Sequence, residues 1–203
     1  MEKNVSLTRK LVLTGALSAL IIVLGITKLG LIPLGPAASI TILHVPIILA
    51  ACLCGLPSAL FTGAVFGIMS LVQAAMSPSG VLDPLFVNPL VSVLPRMLTG
   101  LIAWALWFAF SKLPKLPKAV NAGITAFLST VCHTLLVIGS LYLFQGAATR
   151  EGMGGLGYFA VIGVLAPQAA LEAVAATIIC AAVFVGLFVS GKRKSKLSQE
   201  AEQ

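Results

Sequence analysis

Seven polar side chains stand inside or beside long apolar runs and carry whatever chemistry this chain performs: His44, Gln73, Asn88, Arg96, His133, Gln168 and Glu172. Polar groups placed this way are costly to bury and usually face a cavity or a partner. Arg96 is the only arginine or lysine inside such a run. Its guanidinium stays charged and offers parallel N–H donors, a fork that fits a carboxylate. Gln168 and Glu172 are spaced i and i+4, which puts them on one face of any helix that holds them. Arg96 and Glu172 can neutralise each other between helices, or serve a ligand. The two histidines can bridge helices as hydrogen-bond donors or meet that ligand, and Asp83 reads as a solvated loop charge. A different chemistry, with Glu172 and His133 as acid and base of an intramembrane enzyme, needs a geometry that spacing alone does not supply.

Other chemistries lack their motifs. No H-E-x-x-H, G-x-S-x-G or carboxylate-rich pattern occurs, so no metal site is expected. Cys52, Cys54, Cys132 and Cys180 lie in apolar runs with C-x-C as their closest spacing, which reads as buried free thiols. The segment GLFVSGK at 186–192 fits G-x-x-x-x-G-K, but Arg193 replaces the Ser or Thr that would hold magnesium, and no strand precedes it. Any ATP that drives this protein is hydrolysed elsewhere.

The elements that must position these residues are membrane helices. The chain is 59% hydrophobic and 9% charged, against about a quarter charged in ordinary soluble domains, so water could not solvate its surface. A bilayer core about 30 Å thick takes roughly 20 helical residues, and several runs reach or approach that length. Spans are expected over residues 11–28, 40–54, 57–73, 89–110 and 119–144, with a sixth inside 158–189, where Pro167 divides a loop-associated segment from the final helix. The first span reads as a retained helix, because no A-x-A cleavage pattern follows it closely. Residues 30–39 (GLIPLGPAAS), 74–88 and 145–157 carry the glycines, prolines and polar residues of loops. The fold class is an all-α integral membrane protein of six transmembrane helices, with one domain over 1–190 and a basic tail over 191–203.

Basic residues set the sidedness. With six spans both termini share a side with the SKLPKLPK loop, and these segments hold ten of the thirteen lysines and arginines. Both termini are therefore expected in the cytoplasm. Basic residues spread over ends and loops form no nucleic-acid surface. The long loops then face outward, and the polar residues gather towards them. Arg96 lies about 10 Å below Pro89, Glu172 about 8 Å below Pro167, and His133 about 16 Å below Phe144. The expectation is an outward-facing binding bowl. Two small-xxx-small pairs permit close helix approach: Gly15 with Ala19, flanked by Ala16 and Ser18, and Gly63 with Gly67. Either can serve internal packing or a partner subunit.

These residues suggest a family. HVPIILAACLCGLPSALFTGAVFGIMSL (44–71) followed by FVNPLVSVLPRMLTG (86–100) resembles the S components of energy-coupling factor (ECF) vitamin transporters, and the likeness spans nearly the whole chain. The resemblance implies a six-helix S-component bundle in the bacterial cell membrane that captures a small-molecule vitamin in its outward bowl. It implies no cofactor on this chain; a transmembrane coupling subunit and two cytosolic ATPase subunits would drive transport with ATP. Docking would use the small-residue face of the first helix, here Gly15, Ala16 and Ala19, with Gly15 departing from the family's A-x-x-x-A pattern. The loops at 30–39 and 145–157 would cover the ligand. NPLVSVLPR looks most like the branch associated with pantothenate. Riboflavin, folate and a hydroxymethylpyrimidine-like precursor are the other ligands considered, and an intramembrane enzyme or an assembly subunit without a ligand are the other classes.

Overall fold

The computed structural model describes residues 6–33, 39–78 and 82–200. Helix α1 (Leu7–Ile26) starts where the Ser6 hydroxyl accepts from the Arg9 N–H at 3.4 Å and rises about 30 Å, the thickness of a bilayer core. It stops at Lys28, whose φ of 55° leaves the helical region. Two short strands follow, β1 (Leu31–Pro33) and β2 (Ser39–Thr41), paired antiparallel with Leu31 opposite Thr41. This hairpin takes the residues expected to open the second span, and so α2 (Val45–Cys54) is shorter. A three-residue strand leaves too little alternation to be read from sequence.

Ten residues rise about 15 Å, half a bilayer core. Helix α2 is nonetheless the centre of the bundle: eight of its ten residues are buried, and it touches α1, α3, α4, α5 and α6. A helix that is apolar all round belongs in such a place. It turns directly into α3 (Leu56–Met76) through Gly55, whose φ of 96° suits glycine. The remaining helices are α4 (Pro89–Ser111), preceded by a 3₁₀ turn (Asp83–Val87), then α5 (Lys118–Gly152) and α6 (Tyr158–Glu200). Among the described residues five helices are thus long and apolar enough to cross a membrane, with α2 as a sixth, shorter apolar helix.

Two loop expectations change. Residues 145–152 remain helical, because α5 continues past a kink at Gln145 (φ −142°, ψ 38°). The kink is tied at both ends: Gln145 donates through Nε2 to the Leu85 carbonyl at 3.0 Å, and the Thr149 hydroxyl donates to the Gln145 carbonyl at 2.8 Å. Pro167 lies inside an unbroken α6 and does not divide it. A single proline forfeits one backbone hydrogen bond, which membrane helices tolerate. The same helix runs through residue 190 into the basic tail.

Interhelical bonds fix the directions. Thr14 Oγ1 donates to Ser58 Oγ at 2.8 Å near the starts of α1 and α3, and the Gln73 side chain donates to the Gly25 carbonyl near their ends. These two helices are parallel, and α2 returns between them. Close packing of α3 on α4 rests on glycine: a Cβ on Gly63 would lie 2.7 Å from the Arg96 carbonyl oxygen, one on Gly67 2.5 Å from Val93 Cα, and one on Gly100 2.6 Å from the Ala59 carbonyl oxygen. The second small-xxx-small pair therefore serves internal packing. The first does the opposite, since Gly15, Ala16 and Ala19 are exposed and a Cβ on Gly15 would meet nothing within 4 Å. Large apolar side chains such as Leu11, Phe61, Phe108, Phe127 and Ile178 also face outward. In water this surface would aggregate, whereas lipid solvates it.

Candidate functional site

Arg96 sits on α4 one residue after Pro95 and is 5% exposed. Helical side chains lean towards the helix start, and the guanidinium accordingly folds back to donate from Nη1 to the Val91 carbonyl at 2.8 Å. The charge is therefore several ångströms nearer the loop end of α4 than its Cα. Nη2 reaches the Ser70 hydroxyl on α3 at 3.4 Å. The guanidinium carbon lies 4.9 Å from the ring centre of Phe86 and 5.5 Å from that of Phe66, within cation–π range of both. Phe86 is held in turn by Ser92, whose hydroxyl donates to its carbonyl. Nε is buried without a partner, and among the described residues no acid hydrogen-bonds the guanidinium.

Phe66 is a shared wall. Its ring centre is 6.0 Å from that of His133 on α5, and His133 stacks on His44 at 5.5 Å with 19° between planes. His44 is fully buried where the short helix α2 begins, and there it meets His133. All four ring nitrogens of the pair are buried and unbonded, as is the Ser129 hydroxyl one turn along α5. Native proteins bond nearly all of their buried polar groups, and each neutral imidazole brings one donor and one acceptor. Arg96, Phe66, His133 and His44 thus form one connected buried cluster, with unbonded nitrogens on Arg96 and on both histidines.

Glu172 has its own partners. Its Oε1 accepts from the Thr41 N–H at 2.7 Å and from Gln168 Nε2 at 3.2 Å. The carboxylate therefore pins β2, three residues before His44, to α6, and the closed Arg96–Glu172 ion pair that spacing left open is not formed. Asn88 caps α4, its Oδ1 accepting from the Leu90 N–H at 3.0 Å. Gln73 joins the ends of α1 and α3 beside a groove that Lys28, Met69 and Met76 also line. The bundle thus gathers Arg96, His44 and His133, attaches Glu172 and Gln168 through β2, and uses Asn88 and Gln73 at helix ends. Among the described residues no three metal-ligating side chains come together.

Sequence reasoning missed Phe66, Phe86 and Ser70. Phe86 lay two residues before Asn88 in the FVNP run, whereas Phe66 is one apolar residue among many and has no sequence signal. Pro95 did carry a signal, because a proline inside a helix leaves the carbonyl four residues earlier without its donor.

A profile of the family described as ECF transporter, substrate-specific component, matches residues 9–184. The chain is similar to a protein of Leuconostoc mesenteroides named pantothenate transporter PanT, with 31% identity over 87% of this chain and 90% of that protein. It is also similar to a pantothenic acid transporter PanT of Lactococcus lactis subsp. cremoris, with 25% identity over 72% of this chain and 76% of that one.

Proposed function

Because this chain belongs to the family of substrate-specific components of ECF transporters, we propose that it captures pantothenate, with Arg96 as the anchor for the carboxylate. It is a transport subunit and not an enzyme. The observation that carries the reading is the buried guanidinium with an unbonded Nε. With Nη1 held by Val91, the Nε and Nη2 edge is the one a carboxylate takes with two parallel bonds. The hydroxyls and amide of pantothenate suit the unbonded nitrogens of His44 and His133, each of which can donate or accept. The names of the two relatives agree with this ligand. Asn88, Gln73, Gln168 and Glu172 then act at the rim, by holding the elements that surround the bowl. Titration calorimetry of the purified chain with pantothenate tests the proposal. Saturable binding is expected, and its absence alongside tight binding of riboflavin or folate would replace pantothenate with that vitamin.

The family works with an ATP-hydrolysing module. We place its transmembrane coupling subunit against the exposed small face of α1 and its two ATPase subunits in the cytosol. Gly15→Leu or Ala19→Leu is expected to leave pantothenate affinity within about twofold while reducing the coupling subunit recovered by pull-down. Lost affinity with intact assembly would move the docking surface off α1. Both termini and residues 112–118 are placed in the cytoplasm of a bacterial cell, on the bias of basic residues towards that side. A cysteine introduced at Lys115 should stay unlabelled by an impermeant external reagent in intact cells and become reactive after permeabilisation. External labelling would invert the topology, and the bowl with it.

A further inference from the structure

We infer that Pro95 is a positioning residue for ligand binding: the carbonyl it leaves unbonded on Val91 holds Nη1 of Arg96 and so turns the Nε edge of the guanidinium towards the ligand. The inference rests on the reading that Arg96 meets a ligand carboxylate.

In an uninterrupted α-helix the Val91 carbonyl would accept from the N–H of residue 95. Proline has no such N–H, and its ring presses against that same carbonyl. The bond that replaces the lost one is the 2.8 Å contact from Arg96 Nη1, supplied by the very next residue. This matters because of what the other contacts leave undecided. Phe66 and Phe86 attract the guanidinium through its charge, which is centred on a carbon 5.5 and 4.9 Å from their ring centres, and such attraction changes little when the group turns about that carbon. Ser70, at 3.4 Å, is a long contact. Rotation in the plane decides whether Nε–H or an Nη–H faces the bowl, and the Val91 carbonyl is the short, directional contact that selects it. A guanidinium fixed before the ligand arrives does not have to be ordered by it, which is the source of affinity in a preorganised site. Pro95 itself is buried, so its effect on a ligand passes through Arg96.

Pro95→Ala and Pro95→Val restore an N–H to residue 95, the second with a branched side chain closer to proline in volume. The N–H competes for the Val91 carbonyl and frees the guanidinium to rotate. Affinities for pantothenate and for its neutral alcohol analogue are measured by calorimetry on wild type, both variants, Arg96→Ala and the Pro95→Ala/Arg96→Ala double variant, with thermal melting of each. The expected result is a loss of about 3- to 10-fold for the acid, less than twofold for the alcohol, and no further loss when Pro95→Ala is added to Arg96→Ala. Melting points at or above that of wild type are compatible with this, because proline is a poor helix former. Equal losses for acid and alcohol, or the same loss with Arg96 already removed, would show that Pro95 only shapes α4. Unchanged acid affinity in whichever proline variant folds, while Arg96→Ala remains costly, overturns the positioning role and leaves the anchor intact. If Arg96→Ala itself costs the acid nothing, anchor and positioning role fall together.

Discussion

Replacing Arg96 with alanine is expected to weaken pantothenate binding about 30- to 1000-fold, or about 2 to 4 kcal/mol, the range of a buried charge-assisted contact. The mutation also strands the Val91 carbonyl and the Ser70 hydroxyl that the guanidinium now serves, so melting temperature must be measured beside affinity. Glu172 loses no partner, since its bonds go to Thr41 and Gln168, and for that reason the variant should fold. Arg96→Lys should recover part of the loss. An ammonium is a point charge without the planar fork, and it cannot hold both Val91 and two carboxylate oxygens in one plane. The neutral alcohol analogue decides the matter: a carboxylate contact makes the mutation cost the acid far more than the alcohol. Equal costs would mean that Arg96 shapes the bowl without touching the carboxylate, and the case for an anionic ligand would lose its main support.

The second large effect is on stability. A methyl group on Gly67 would sit 2.5 Å from Val93 Cα and 3.0 Å from the Ser92 carbonyl oxygen, and one on Gly63 would press on the Arg96 carbonyl and Met97 Cα. These are backbone atoms, which cannot swing aside, so α3 and α4 must separate. Gly67→Ala is expected to destabilise the bundle by about 1 to 3 kcal/mol, as overpacking does, and Gly67→Leu to prevent its assembly. Gly15→Ala provides the contrast: with open space around it, it should melt at or slightly above the wild-type temperature, because alanine favours helix over glycine. Gly63→Ala should in addition weaken ligand binding, since it displaces the stretch of α4 that carries Arg96. Thermal unfolding in detergent of Gly15→Ala and Gly67→Ala side by side checks the prediction. Equal melting points would show that the α3–α4 contact is looser than these distances require.

The membrane class, the positions of five long helices and the burial of Arg96 inside one of them were legible in the residues. A bilayer demands apolar runs of set length, and it makes a lone internal arginine conspicuous because burying one is costly. Helix ends were legible where local chemistry sets them, as at Gly55 with Pro57 and at Asn88 with Pro89. Two identical spacings, Gly15 with Ala19 and Gly63 with Gly67, could not be told apart, because what separates a packed glycine from an exposed one is the neighbour across the gap. Depth along a helix put Arg96 level with Glu172, but side-chain direction and the competing claims of Val91, Ser70, Thr41 and Gln168 keep the two charges on separate partners. The stacking of His44 on His133 depends on how short α2 is, and that depends on a hairpin pairing residues 31–33 with 39–41. Periodicity and composition report what each segment needs from its surroundings, so they determined the solvent and the spans. Contacts between segments distant in the chain depend on which faces meet, and the tertiary structure alone decided that Phe66 would join Arg96 to the histidines.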